Sequence, residues 1–223
     1  MAAVVHHLNN SRSQRVLWLL EELGVEYEVK RYERDPKTML APPALGAVHP
    51  LGLSPVLTID GQMLAETGPI VSYLIANYGQ GRLIPPVGSP ERLRYIFYRH
   101  HADGTALPPL VTKLVLSEAP KSTPLPFFLR PVARMLFGGV VTDHIDPQLT
   151  NLIAFWMSEL EKSRYFAGEE LTGADIVMSF PLEVAATQAQ LPPRITEYLE
   201  DIHGRPAYQR ALQRGGPYAL VRG

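Results

Sequence analysis

In "SQRVLWLLEELG" (13–24) apolar residues fall at positions 16, 17, 19, 20 and 23, a helical spacing that Gly24 closes as the residue past the last turn. Ahead of it, "VVHHL" (4–8) has the length and composition of a short strand. Behind it, "YEVKRYE" (27–33) alternates weakly, as a strand does. "PVLTID" and "QMLAE" flank Asp60-Gly61 and predict a hairpin. "TGPIVSYLIANYG" (67–79) is a second helix, with Pro69 in its first turn and Gly79 past its end. The order β-α-β followed by β-β-α implies a mixed sheet with helices packed on it.

Beyond residue 80 the pattern changes. "GQGRLIPPVGSP" (79–90) is rich in Gly and Pro, and within it residues 81–90 are assigned as a linker. Strand signals then vanish. Ser89-Pro90 predicts a helix start, with Ser as N-cap and Pro at the first helical position, and Asp146-Pro147 repeats the device before "QLTNLIAFWMSELEKS". "LTGADIVMSFPLEVAATQ" reads as a buried helix, and "PPRITEYLEDIHGRPAYQRAL" as two more. Residues 117–131, with four prolines, are predicted to be an irregular surface excursion. The expected organisation is an α/β domain over 1–80 and an all-α domain over 91–223.

Composition narrows the chemistry. The 223 residues are 46% hydrophobic and 19% charged, which is ordinary for a globular protein. A formal net charge of −1 gives no broad positive field for nucleic acid or an anionic membrane. No apolar run approaches the roughly 20 residues that span a bilayer. The start lacks the basic and apolar regions of a signal peptide, so a cytoplasmic setting is expected. With no cysteine, there is no disulfide, thiolate metal site or protein thiol nucleophile. Any sulfur chemistry must come from a ligand.

Few residues stand out as chemical candidates. Ser11, in "LNNSRSQRVLW", lies between the first strand and the first helix. With Gln14 it forms a capping-box pattern, and Ser13 is an alternative cap. The same hydroxyl, beside a helix N-terminus, can instead donate to a bound thiolate. Pro55 opens a strand-like run. A trans Ser54-Pro55 bond would mark an edge strand, whereas a cis bond would turn the Ser54 backbone toward an extended ligand. Glu66-Thr67 precedes the second helix, with Thr67 as a possible N-cap. A carboxylate at that helix start and an ammonium group on Glu66 would together match an amino-acid head group. "LTGADI" is a structural capping box, Thr172 with Asp175, and Leu171 stapled on Ile176. The pairs His6-His7 and His100-His101 diverge on either a strand or a helix, so no metal site is expected.

Together these segments resemble a cytosolic glutathione S-transferase over essentially the whole chain. "LNNSRSQRVLWLLEELG" resembles the family's first strand–helix junction, and "HPLGLSPVLTIDGQMLAETGPIVSYL" its cis-proline hairpin and γ-glutamyl signature. "LTGADI" matches the box that starts the nucleating helix of the C-terminal domain, and "GRPAYQRAL" a common C-terminal segment. "SRSQRVLWLLEELG" and "ADGTALPPLVTKLV" are most similar to a serine-type, theta-like bacterial and fungal branch that includes a yeast transferase group. The resemblance implies a thioredoxin-like N-terminal domain with a mixed four-stranded sheet, plus an all-α C-terminal helical domain. It implies a cis Pro55, with the Ser54 backbone on the cysteinyl part of glutathione and Glu66 and Thr67 on the γ-glutamyl end.

By the same resemblance Ser11 occupies the catalytic serine position, with Asn9 and Asn10 as alternative donors to the sulfur. Where relatives often carry Lys or another polar residue, this chain has Leu53, which leaves His49 as a candidate for the glycyl carboxylate. The activity implied is conjugation of the glutathione thiolate to small hydrophobic electrophiles, with glutathione-dependent peroxidase activity as a variant. Glutathione is then a co-substrate, and no other cofactor is implied. Lowering a thiol pKa by two units takes about 2.7 kcal/mol. A charge-assisted hydrogen bond of about 1.5–3 kcal/mol with a helix-terminus contribution is of that order. The electrophile pocket is expected along the 95–116 helix, with Tyr95, Tyr98 and His101 as walls. A homodimer is implied, through the exposed part of helix 67–78 and the 90–100 helix. The alternative is a glutathione-binding or protein-interaction module of the same fold without turnover. A glutathione-dependent reductase ordinarily needs a protein cysteine, which is absent.

Overall fold

The structure is a computed structural model that describes residues 3–122 and 126–220. Strands β1 (Ala3–Leu8), β2 (Tyr27–Tyr32), β3 (Val56–Ile59) and β4 (Gln62–Ala65) form one sheet in the order β2-β1-β3-β4. β1 runs parallel to β2 and antiparallel to β3, which pairs antiparallel with β4. The register sets Val5 between Val29 and Leu57. β1 is therefore central, and the near-continuous apolar run "AVVHHL" suits a strand covered on both faces.

Helix α1 (Ser13–Leu23) crosses from β1 to β2 and is buried almost all round, because α2 (Thr67–Tyr78) and two helices of the rear part, Gly173–Gln188 and Pro206–Gly215, also pack on it. Gly24, at φ 70°, takes the left-handed conformation that ends α1. The opposite face of the sheet carries a small separate cluster of Leu8, Tyr32 and Leu45 under the 34–55 loop. The main core runs without a break from Val5 and Trp18 through Val71 and Ile75 to Tyr95, Trp156 and Ile176.

The rear part is helical: α3 (Pro90–His101), α4 (Leu107–Ser122), α5 (Arg130–Val140), α6 (Asp146–Leu160), α7 (Gly173–Gln188), α8 (Pro193–His203) and α9 (Pro206–Gly215). Ser89 caps α3 as expected, its Oγ accepting from the Arg92 amide at 3.2 Å. Two expectations need correction. Asp146 does not cap α6, because five-residue turns of π type, Ala102–Ala106 and Val141–Ile145, carry α3 into α4 and α5 into α6. Both wide turns precede prolines, Pro108-Pro109 and Pro147, whose missing amides cannot pair one turn back. Residues 117–131 are not irregular where described. α4 continues to Ser122, a 3₁₀ turn spans Phe127–Leu129, and α5 begins at Arg130; residues 123–125 lie outside the described residues.

The "LTGADI" box is present. Asp175 accepts from the Thr172 and Phe166 amides, each at 2.9 Å, and from the Tyr198 hydroxyl at 3.1 Å. One turn into α1, the buried Arg15 joins front to rear. It donates to the Val177 carbonyl and, at 3.1 Å, to Asp103, and lies 5.2 Å from the Phe180 ring centre.

Candidate functional site

Three loop ends meet at the edge of the sheet: the β1–α1 turn, the turn before β3, and the start of α2. Between them runs a shallow groove lined by Arg12, His49, Leu51, Leu53, Ser54, Pro55, Ala65 and Glu66. Five of the residues singled out in the sequence, His49, Leu53, Ser54, Pro55 and Glu66, thus lie together. Ser11 and Thr67 are next to this lining but buried, at 4% and 0% exposure.

The Ser54–Pro55 bond is cis. The Ser54 hydroxyl faces inward, donating to the His6 carbonyl at 2.9 Å and accepting from the Leu8 amide at 3.2 Å. Its side chain thereby ties the turn to the end of β1. Among the described residues, the backbone bonds of loops and turns use neither the amide nor the carbonyl of Ser54.

Ser11 does not cap α1. Arg12 occupies that position without a side-chain bond, and both polar atoms of the buried Gln14 side chain lack partners among the described residues. The Ser11 Oγ instead accepts from the Ser13 amide at 3.2 Å and lies 2.8 Å from the Ser13 Oγ. Ser13 Oγ in turn lies 2.8 Å from Nδ1 of His7. His7 is buried, and that burial, with the Arg31 charge, pulls its pKa down to about 4. The side-chain oxygens of Asn9 and Asn10 accept from the amides of Arg34 and Ala219 at 2.9 and 2.8 Å, bonds that leave their NH2 groups as donors.

At the start of α2, Glu66 has φ 70° and makes no capping bond, so neither it nor Thr67 is a conventional cap. Thr67 is wholly buried, and its hydroxyl has no partner among the described residues. A buried hydroxyl without a partner is costly and points to a group that arrives from outside. His49 accepts from the Leu51 amide through Nδ1 at 3.3 Å. Leu53 is half exposed.

Arg12 was not singled out from the sequence. It is the arginine in this groove, and among the described residues it is held by a 3.7 Å approach to Asp103. Its signal was its place in "SRS", immediately after the candidate serine.

Tyr95, Tyr98 and His101, expected as pocket walls, are core residues. Tyr98 donates to Glu159 at 3.0 Å, Trp156 Nε1 donates to His101 at 2.9 Å, and the Tyr95 hydroxyl accepts from Arg99 at 3.1 Å. They sit on the inward face of α3, where helical periodicity alone cannot separate a core wall from a pocket wall. A wider hollow, about 650 Å³, lies elsewhere, between the 81–86 segment, the 164–172 loop and Arg205. It contains none of the expected site residues, and of its cations Arg164 and Arg205 pair with Asp201 and Glu22 while Arg82 donates to the Glu22 and Leu23 carbonyls. No group of His, Asp or Glu among the described residues is arranged to hold a metal ion.

Comparison with known proteins agrees along the whole chain. Residues 11–77 match the family described as "Glutathione S-transferase, N-terminal domain", and residues 141–204 match "Glutathione S-transferase, C-terminal domain". Glutathione S-transferase 3 of Schizosaccharomyces pombe is 32% identical over 95% of this chain and 87% of its own length. Glutathione S-transferase 1 of Saccharomyces cerevisiae is 30% identical over 94% of each. A crystal structure of a glutathione S-transferase from Actinobacillus pleuropneumoniae superposes with a TM-score of 0.76 at 31% identity, covering 99% of this chain and 96% of the other.

Proposed function

The chain belongs to the glutathione S-transferase family, and from that premise we propose that its groove binds glutathione and transfers the thiolate to small hydrophobic electrophiles. The observation that carries the reading is the buried, unpartnered Thr67 hydroxyl at the start of α2, beside Glu66. A γ-glutamyl carboxylate there satisfies Thr67 and the opening amides of the helix, while Glu66 takes the ammonium group. The cysteinyl backbone pairs with the free amide and carbonyl of Ser54. That run directs the sulfur to Ser11 at the mouth of α1.

The glycyl carboxylate then falls at the Arg12 and His49 end. Arg12 supplies the charge that Leu53 cannot, and a planar guanidinium matches a carboxylate in two-point fashion. Bound thiolate is held by the Ser11 hydroxyl and the positive end of α1, which favour the ionised form. The thiolate attacks the electrophile, forming the S–C bond as the leaving group departs, or reduces a hydroperoxide at the weak O–O bond.

A homodimer accompanies this reading. Leu93, Ile96 and Phe97 on α3 and Met63 on β4 are exposed apolar side chains of the kind that a second copy would cover. No described helix is long and apolar enough to cross a membrane, and we place the protein in the cytoplasm.

The half-exposed Leu53 favours one rival, a glutathione-binding module without turnover. Retention on immobilised glutathione, followed by turnover of chloro-dinitrobenzene and of cumene hydroperoxide, decides. Retention with turnover of either acceptor is the expected result. Retention with no turnover across a broad acceptor panel establishes the module, and no retention overturns both.

A further inference from the structure

The hydroxyls behind Ser11 have a direction of donation. The Gly215 carbonyl on α9 faces the His7 ring as an acceptor. Since Nδ1 faces Ser13, the donating nitrogen is Nε2, which is also the ring atom on the Gly215 side. Burial and Arg31 keep the ring neutral, so a ring protonated at Nε2 offers only a lone pair at Nδ1. Ser13 has one hydroxyl proton. Nδ1 at 2.8 Å is the nearer acceptor, against the Leu8 carbonyl at 3.3 Å.

Ser13 Oγ also accepts from the Leu8 amide at 3.2 Å. With the Ser13 proton committed to His7, the 2.8 Å contact between the two serines must use the proton of Ser11. Ser11 therefore donates inward and presents only a lone pair to the groove. Such an oxygen suits a protonated thiol. A thiolate needs Ser11 to donate outward, which breaks its bond to Ser13 unless Ser13 turns its own proton from Nδ1 to Ser11.

We propose that His7 is a positioning residue for the transfer reaction, acting through Ser13 to turn the Ser11 hydroxyl away from the sulfur and so limit how far the bound thiol is acidified. The inference rests on glutathione occupying the groove. His7 is on β1, Ser11 is in the β1–α1 turn and Ser13 opens α1. Among the described residues, Arg31 on β2, Ser13 and the Gln14 amide on α1 and the Gly215 carbonyl on α9 are the charged and polar groups near the ring.

The test is a pH titration of the ultraviolet absorbance of enzyme-bound glutathione thiolate, alongside the dissociation constant of S-methylglutathione, which has no thiol to ionise. His7→Phe and Ser13→Ala each remove the inward pull. Each is expected to raise the thiolate fraction below the pKa about tenfold, the equivalent of one ordinary hydrogen bond, with S-methylglutathione binding unchanged. His7→Asn, whose amide oxygen can accept from Ser13 in place of Nδ1, should stay near wild type. In a Ser11→Ala background neither His7→Phe nor Ser13→Ala should shift the titration.

A merely structural role would lower the thiolate fraction or leave it unchanged, and would not need Ser11; any of these results overturns the proposal. Ser13→Ala, the smaller change, carries the test if His7→Phe does not fold. If wild-type protein binds neither glutathione nor S-methylglutathione, the glutathione reading itself falls, and this role for His7 with it.

Discussion

Ser11 and His7 are joined through Ser13, yet a substitution at each tests a different property. Ser11→Ala removes the donor to the sulfur, and one charge-assisted hydrogen bond is worth about 1.5–3 kcal/mol. Turnover with chloro-dinitrobenzene should fall about 10- to 100-fold, and the pKa governing kcat/KM should rise. An unchanged pH–rate profile would remove Ser11 from the chemistry. His7 bears on stability. Its pKa falls from 6.5 to about 4 on folding, so between those values the unfolded chain holds a proton that the native protein does not. Stability should therefore climb as pH rises from 4 to 6.5 and gain nothing further from this residue above that. The span is about 3 kcal/mol at most. His6 and His101 are lowered by burial too and act with the same sign. Urea unfolding across this range measures the slope, which His7→Asn should flatten. Sequence singled out Ser11, Ser54, Glu66 and Thr67 because each sits at an element boundary with a recognisable local pattern. It could not orient the Ser11 hydroxyl, since the partner of Ser13 comes from β1 and the lock on His7 from α9, some 200 residues on.

At the scale of elements, the glycines separate close packing from open helix surface. A Cβ on Gly173, at the start of α7, would lie 2.5 Å from Ile75 Cδ1 and 3.3 Å from Val71 Cγ1 on α2. Gly173→Ala should cost about 1–3 kcal/mol by overpacking. Gly138, inside α5, has nothing within 4 Å of such a Cβ. Gly138→Ala should stabilise by about 0.5–1 kcal/mol, through helix propensity alone. Opposite shifts in the thermal midpoint check the pair. β1, α1, the β3–β4 hairpin and α2 were legible because period and punctuation agree within each segment. The joints of the long helices were not. Pro147 after Asp146 looks the same in sequence whether it opens a new helix or follows a widened turn in a continuing one. The prolines of 117–131 likewise argued for loop, but Pro120 lies within α4 and Pro131 is tolerated in the first turn of α5, where its missing amide has no partner to lose.

Across the whole molecule, front and rear share one core, and Arg15 is a buried charged link between them, beside the more exposed pairs of Glu21 and Glu22 with arginines of α9 and the residue before it. Its guanidinium is almost wholly buried and meets Asp103, which is 30% exposed. Asp103→Ala leaves that charge without its carboxylate and should destabilise by about 3–5 kcal/mol. Asp103→Asn keeps an acceptor and should cost less. Denaturant midpoints at constant m-value give both numbers, and equal, small losses would show the pair to be dispensable. The two-part organisation was legible as a change of pattern near residue 80. The link was not, because a lone Arg on an apolar helix looks like a solvated side chain until its carboxylate partner arrives from 88 positions away.

Arg15 stands one helical turn beyond Ser11, so the same short rod that presents the sulfur-facing hydroxyl is fastened at its next turn to the posterior bundle. The reactive end of the groove is consequently indexed from behind. A fragment ending near residue 80 would keep every groove-lining side chain and still lose the brace that sets their spacing, with α1 left bare along the flanks that α7 and α9 cover.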